Sequence, residues 1–130
     1  MNYLFVYGTL LSAYQHSMHQ VIAQHGKLLG EGHFQGRLYR ISYYPGMVPS
    51  AHPSDQVWGE VYALQDAEIV FEYLDDYEGY DPANESMSDY IRREVTIDLT
   101  QDQTLQAWTY LYNQPVAALE WIESGNFLKG

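Results

Sequence analysis

The sequence lacks cysteine and any long apolar run, and each absence excludes a class of protein. With no cysteine among its 130 residues, the chain has neither a disulfide framework nor a thiol nucleophile. No apolar run approaches the roughly 20 residues that span a bilayer. The first residues also lack the basic region and apolar core of a signal peptide. We therefore expect a cytoplasmic protein with no membrane partner.

Positive charge is also scarce. Six Lys and Arg residues stand against 17 Asp and Glu, which gives a formal net charge of −11. Nucleic acid would be repelled by such a chain, so we expect no nucleic-acid partner. An anionic group on a substrate must instead meet one of these few cations or backbone N–H groups.

Tyrosine is abundant, with 13 copies in a chain of 130 residues. That length predicts a single domain over residues 1–130. Tyrosine rings suit a half-buried pleated sheet. They equally suit a pocket, because the ring packs while the hydroxyl reaches a polar partner.

Hydrophobic periodicity predicts a chain of mixed strands and helices. The predicted strands cover residues 3–7, 27–41, 56–64, 90–99 and 104–112. The predicted helices cover 12–24, 66–78 and the stretch from Pro115 to Ile122, and 83–89 is predicted as a mobile loop. Glycines at 30, 32 and 36 predict bulges and strong curvature. Pro45-Gly46 fits the two central positions of a type II turn.

The second predicted helix has recognisable ends and an apolar stripe. Asp66 suits the N-cap, and Glu78-Gly79 should end the helix. Spacings of three and four residues predict that one face is buried, formed by Ile69, Val70, Tyr73, Leu74 and Tyr77.

The loop after the first strand is one candidate for chemistry. Five strand-forming residues run directly into Gly8, where the absence of a Cβ allows a ligand to approach the main chain. The N–H groups of Thr9 and Leu10 can then hold a negatively charged oxygen. The alternative is an ordinary turn after a buried strand.

The acidic end of the second predicted helix is the other candidate. Asp75, Asp76, Glu78 and Asp81 lie within seven residues there. The helix dipole and the repulsion between Asp75 and Glu78 should raise the pKa of the most buried carboxyl. A glutamate with such a pKa can accept a proton near neutral pH. The alternative is a solvated acidic helix end.

The histidines of the first predicted helix give no metal pattern. His16 and His19 are three residues apart and His25 follows, but no glutamate lies between the first two in a metallohydrolase arrangement. A solvated helix face explains them as well. We expect no metal and no cofactor.

A series of short motifs runs in order along most of the chain, from Tyr3 to about Tyr112. Its members are Val6-Tyr7-Gly8-Thr9-Leu10, Gly36-Arg37-Leu38-Tyr39, Tyr44-Pro45-Gly46, Val57-Trp58-Gly59-Glu60-Val61-Tyr62, Leu74-Asp75-Asp76-Tyr77-Glu78-Gly79, Tyr90 with Arg92, Val95 and Ile97, and Ala107-Trp108-Thr109-Tyr110. This ordered set resembles the γ-glutamylcyclotransferase-like proteins, the γ-glutamylamine cyclotransferase branch in particular.

The resemblance implies a fold and an activity. The fold is α+β, a small mixed and strongly twisted barrel-like sheet with helices packed outside. In the activity, the α-amino group of a small γ-glutamyl substrate attacks its own γ-carbonyl, which yields 5-oxoproline and a free amine or amino acid. Glu78 would be the general acid/base, and Tyr7, Gly8, Thr9 and Leu10 would hold the γ-glutamyl end.

Three further residues are candidates for substrate binding. Arg37 and Arg92 can hold the substrate's α-carboxylate, but either can equally be a structural partner of Asp75 or Glu60. Tyr110 belongs to the last matching motif. We expect a monomer by default. Non-catalytic binding of a γ-glutamyl zwitterion and an acidic protein-interaction domain are the alternatives. The enzymatic reading requires that the Gly8–Leu10 amides and Glu78 face one cavity.

Overall fold

The described residues form one seven-stranded sheet and two α-helices. The computed structural model describes residues 2–8, 10–11, 17–99 and 102–129. The strands are β1 (Asn2–Val6), β2 (Gly26–Arg40), β3 (Pro45–Pro49), β4 (Gln56–Leu64), β5 (Tyr90–Leu99), β6 (Thr104–Tyr112) and β7 (Glu120–Ile122). The helices are α1 (Ser17–His25) and α2 (Ala67–Glu78), and Glu85–Met87 forms a 3₁₀ turn.

Five of these strands close into a barrel. Hydrogen-bonded neighbours follow the order β2-β4-β1-β6-β5, and β5 pairs back with β2. The pairs are antiparallel except for β1–β6. Strand β2 is long enough to change partners, because its first part pairs with β4 and its last residues pair with β3 and β7. The predicted α+β barrel-like sheet is thereby confirmed.

Alternate residues of β1 face two different parts of the core, as the two-residue period of a strand dictates. Leu4 and Val6 belong to the cluster between the sheet and the helices, which includes Ile22 of α1. Phe5 and Tyr7 belong to the cluster on the other face of the sheet. The first strand therefore packs into both parts of the core, up to Val6 and Tyr7 at its end.

Helix α2 keeps its predicted ends but turns a different face to the core. Val70 and Leu74 are buried as predicted, together with Ala67 and Phe71. The prediction was wrong for Ile69, Tyr73 and Tyr77, which are 43%, 54% and 38% exposed. The same three-and-four spacing fits either of two adjacent faces, and only packing against the sheet selects between them.

The two ends of α2 are built differently. Asp66 occupies the N-cap position, but its side chain makes no capping hydrogen bond, and its carboxylate lies 3.5 Å from His25 Nδ1. At the other end Gly79 has φ of 68°, a left-handed conformation that favours glycine. The N–H of Gly79 donates to the carbonyl of Asp76, and that of Tyr80 to the carbonyl of Asp75. The last turn is thus closed directly after Glu78.

Two local predictions were wrong. Pro45-Gly46 is not a turn, because Pro45–Pro49 pairs with β2 and places buried Met47 opposite Leu38. The chain reverses at residues 42–44 instead. No helix follows Pro115, since Glu120–Ile122 pairs with the end of β2 and buries Ile122. In both places a buried side chain and a free strand edge outweigh local turn and helix signals.

The remaining elements agree with the sequence to different degrees. Strands β4, β5 and β6 have the predicted bounds, and a bulge lies between Leu28 and Gly30 of β2. Helix α1 begins at Ser17, whereas the predicted positions 12–16 lie outside the described residues. The predicted loop 83–89 contains a 3₁₀ turn, and Glu85 within it forms an ion pair with Arg93 at 2.8 Å.

Candidate active site

A pocket of about 280 Å³ lies where the end of β1 meets the end of α2. Tyr7, Gly8 and Leu10 line it from the first strand and its loop, and Glu78 lines it from the helix. The two stretches that the sequence singled out therefore face one cavity. This is the juxtaposition that the enzymatic reading requires.

The loop after β1 fits tightly against β3. A Cβ on Gly8 would lie 2.7 Å from Cγ and 2.8 Å from Cδ of Pro45, which is too close for a side chain. The carbonyl of Gly8 accepts a hydrogen bond from the Leu11 N–H at 3.0 Å. Within the described ranges, no hydrogen bond uses the N–H of Gly8 or Leu10. Thr9 lies outside the described residues.

Glu78 is the carboxyl on the helix side of the pocket. Burial raises the pKa of Glu78 from 4.5 to about 8. From the sequence, we expected the helix dipole and repulsion by Asp75 to raise this pKa. Burial is instead the cause, because the charge of Asp75 is offset by an ion pair with Arg92. A carboxyl with this pKa exists in both protonation states near neutral pH, so it can take up a proton and return it.

Three tyrosines line the wall of the pocket and connect its elements. The Tyr7 hydroxyl donates to the carbonyl of Tyr110 at 2.6 Å and accepts from the Met47 N–H at 3.3 Å. The Tyr90 hydroxyl donates to the carbonyl of Pro45 at 2.6 Å. Burial is the largest cause that raises the pKa of Tyr7, Tyr90 and Tyr110. These phenols are therefore neutral. Tyr7 joins the end of β1 to β3 and β6, and Tyr90 joins β5 to β3.

Arg92 does not line the pocket but acts on it through two other residues. Its Nε donates to Asp75 Oδ1 at 3.0 Å, and its Nη2 donates to Oδ2 at 3.2 Å. Tyr110 lines the pocket, and its hydroxyl donates to the same Oδ1 at 2.6 Å. The guanidinium also lies over the ring of Phe71, 4.3 Å from its centroid. Of the two roles considered for Arg92, the structure supports the structural partnership with Asp75.

Arg37 lies away from the pocket. Its Nε donates to Asp55 Oδ2 at 2.8 Å, and its guanidinium lies 4.5 Å from the ring centroid of Trp121. That partner is neither Asp75 nor Glu60. Arg37 therefore joins the loop before β4 to the C-terminal strand β7, and it does not line the pocket.

The histidines of α1 have other contacts. His19 Nδ1 lies 3.1 Å from the carbonyl oxygen of Leu10, and His25 lies beside Asp66. His16 is outside the described residues. Within residues 2–8, 10–11, 17–99 and 102–129, no three His, Asp or Glu side chains converge as metal ligands would. None of the helices in these ranges is long and apolar enough to cross a membrane.

Sequence reasoning missed several residues of the pocket. Pro45 and Tyr90 both belong to matching motifs, but they received no role there. Asp76 and Asp89 line the mouth of the pocket as exposed carboxylates. The signal for Asp76 was its place in the acidic helix end, whereas Asp89 reaches the pocket only because β5 begins beside Gly79.

A closed α+β barrel with an acidic helix end beside a glycine turn defines a known class of protein. The family described as γ-glutamyl cyclotransferase, AIG2-like, matches residues 4–129. A γ-glutamylcyclotransferase family protein of Citrobacter rodentium is 33% identical over 126 residues, which cover 96% of this chain and 94% of that protein. A relative from Methanocaldococcus jannaschii is 28% identical over 131 residues, 98% of this chain and 96% of its own length.

Solved structures of similar proteins have the same fold. The solution structure of the protein ytfP from Escherichia coli has a TM-score of 0.64 at 29% identity, and the match covers 97% of this chain and 96% of that one. The crystal structure of an AIG2-like protein from mouse has a TM-score of 0.69 at 23% identity, covering 95% and 86%. The chain belongs to the γ-glutamyl cyclotransferase, AIG2-like family.

Proposed function

We propose that the chain is a cyclotransferase that converts a γ-glutamyl amine or γ-glutamyl amino acid into 5-oxoproline and the free amine. The observation that supports this reaction is the placement of Glu78 and the loop after β1 in one pocket, with the pKa of Glu78 raised to about 8. Family membership makes the same reaction class the first to test.

In the proposed reaction the neutral α-amino nitrogen attacks the γ-carbonyl carbon and forms the ring C–N bond. The Glu78 carboxylate takes the proton that this nitrogen loses. It then gives that proton to the nitrogen of the leaving amine as the original amide C–N bond breaks. One proton is moved and no water is consumed, so a single carboxyl is sufficient.

The loop after β1 has the complementary role. In this proposal the N–H groups of Gly8 and Leu10, which have no hydrogen-bond partner among the described residues, hold the anionic oxygens of the γ-glutamyl group, where negative charge develops on the attacked carbonyl. Tyr7 fixes the start of this loop, because its hydroxyl makes hydrogen bonds with β3 and β6. Since nucleophile and carbonyl belong to one molecule, the pocket acts mainly by holding the cyclising conformer.

The test is an assay for 5-oxoproline with a panel of γ-glutamyl amines and γ-glutamyl amino acids. Glu78→Gln should lower kcat by about 10²- to 10⁴-fold, the usual contribution of general acid–base catalysis. Glu72→Gln, an exposed position of the same helix, is the matched control. If Glu78→Gln is as fast as the parent, the proposed mechanism is wrong. If γ-glutamyl ligands bind in calorimetry and none is converted, the chain is a binding module on the same fold.

A further inference from the structure

The imidazole of His19, a partly buried side chain of helix α1, is hydrogen-bonded to the loop after β1. Its Nδ1 lies 3.1 Å from the carbonyl oxygen of Leu10. A carbonyl oxygen only accepts hydrogen bonds, so Nδ1 carries a proton and donates. The neutral Nδ1–H tautomer and the protonated imidazole can both make this bond. The contact ties α1 to a residue that lines the pocket.

Tyr62 of β4 restricts the orientation of the His19 ring. The two ring centroids are 5.8 Å apart, and the rings meet edge to face at an angle of 67°. Tyr62 is 3% exposed and belongs to the core between the sheet and the helices. Its hydroxyl donates to Glu60 Oε1 at 3.1 Å. Because a close-packed ring moves little, it holds the imidazole with Nδ1 directed at the Leu10 carbonyl.

The peptide group between Leu10 and Leu11 is held at both of its polar ends. Its N–H, that of Leu11, donates to the carbonyl of Gly8 at 3.0 Å. Its carbonyl, that of Leu10, accepts the hydrogen bond from His19. A trans peptide group is planar and its C=O and N–H point in opposite directions, so the two bonds together fix its orientation. The N–H of Leu10 belongs to the peptide group directly before it.

We infer that His19 is a positioning residue for the proposed reaction, because its bond to the Leu10 carbonyl holds the Leu10 N–H in the orientation that receives an anionic oxygen of the substrate. The inference rests on the proposed function, since it assigns the residue that orders the loop of that same site. Without the donor, the peptide group keeps only its bond to Gly8 and can rotate. A displacement of about 1 Å in such a group can cost about 10²-fold in rate.

Three substitutions at position 19 separate the donor from the ring. His19→Phe keeps a ring against Tyr62 and removes the donor. His19→Asn removes the ring but places an amide N–H close to the position of Nδ1, and His19→Leu, of similar size, removes both. We expect kcat for 5-oxoproline release to fall about 10- to 100-fold in His19→Phe and His19→Leu. His19→Asn should keep a kcat close to that of the parent.

The change should fall on kcat more than on KM, because the charge on the attacked carbonyl develops only in the transition state. The melting temperature should instead follow the ring, so it should be lower in His19→Asn than in His19→Phe. A purely structural role would make rate and melting temperature fall in the same variants. His25→Phe, at a histidine of the same helix that lies beside Asp66 and outside the pocket, should keep the parent kcat.

Two comparisons keep the test decisive if His19→Phe does not fold. His19→Asn and His19→Leu are similar in size and differ in the donor, so the ratio of their kcat values reports the hydrogen bond. Nitrogen-15 NMR of the parent needs no substrate, and the neutral His19 side chain should show the Nδ1–H tautomer that the Leu10 carbonyl requires.

The outcomes distinguish the inference from the proposed function. If the parent releases 5-oxoproline and His19→Leu is as fast, the inference is overturned while the proposed function stands. The inference is also overturned if His19→Asn is as slow as His19→Leu, or if NMR shows the Nε2–H tautomer. If the parent releases no 5-oxoproline from any γ-glutamyl substrate, the proposed function is overturned and the inference with it.

Discussion

The Arg92 guanidinium and the Asp75 carboxylate share two hydrogen bonds, of 3.0 and 3.2 Å. Asp75 lies one helical turn before Glu78, so this pair fixes the helix end that carries the proposed general acid/base. The two side chains are 21% and 18% exposed, and Tyr110 adds a third bond to the same carboxylate. The pair also keeps a neighbouring negative charge from acting on Glu78.

Arg92→Met tests this support. The variant keeps an unbranched apolar stem but removes the guanidinium, so Asp75, a partly buried carboxylate, loses its cation. We expect a loss of about 2 kcal/mol in the free energy of unfolding, measured by urea denaturation. Arg93→Met removes a more exposed pair, with side chains 43% and 38% exposed, and should cost less than about 1 kcal/mol. Equal losses of unfolding free energy in the two variants would contradict the claim that the Arg92–Asp75 pair stabilises the fold more than the Arg93–Glu85 pair.

The pH dependence of the rate should report Glu78. Because burial raises the pKa of Glu78 to about 8, the free enzyme holds mostly the protonated carboxyl at pH 7. If Glu78 acts as the base, kcat/KM should rise with pH and level off above about pH 8. The residual rate of Glu78→Gln should retain only the titration of the substrate's own α-amino group. A parent profile identical to that of Glu78→Gln would argue against this role.

The same pKa makes Glu78 a cost to the fold at high pH. The folded state binds a proton more tightly than the unfolded state, so stability falls as pH rises from about 4.5 to about 8. Glu78→Gln cannot ionise and should gain stability over the parent across that window. At about 1.4 kcal/mol per pKa unit, the gain reaches at most about 5 kcal/mol above pH 8.

Thermal and urea unfolding between pH 5 and 9 measure this gain. Glu72→Gln on the exposed side of α2 is the control for losing a glutamate from the same helix. The difference between the two variants should widen as pH rises. A difference that stays constant with pH would show that the carboxyl of Glu78 is not buried in the way described.

Gly8→Ala should damage both stability and activity. The new Cβ would lie 2.7 Å from the ring of Pro45, so the loop after β1 must move away from β3. Such overpacking costs typically about 1–3 kcal/mol, and the displaced N–H groups should lower kcat/KM. Pro45→Ala removes the ring, so a double-mutant cycle should show that Gly8→Ala costs less in its presence. If the losses of unfolding free energy in the two single variants add up in the double variant, the contact with Pro45 is not the reason why position 8 requires glycine.

The sequence predicted the main elements where local pattern and packing agree. Strands β4, β5 and β6 alternate in hydrophobicity and have the predicted bounds. The two short strands that pair with the end of β2 were predicted less well. Pro45-Gly46 has turn chemistry but pairs with β2, and Trp121-Ile122 follows a helix signal but also joins β2. Their conformation is set by pairing with the last residues of β2, which local turn and helix preferences do not report.

The sequence by itself determined that Gly8 and Glu78 were the positions to examine, because a glycine after a buried strand and an acidic helix end are local features. It did not determine the cause of the pKa of Glu78. Only the tertiary structure brings Glu78 into a pocket beside β1 and partly buries it, while Arg92 offsets Asp75. Burial and charge pairing depend on residues far apart in the chain, so they arise only once the barrel closes.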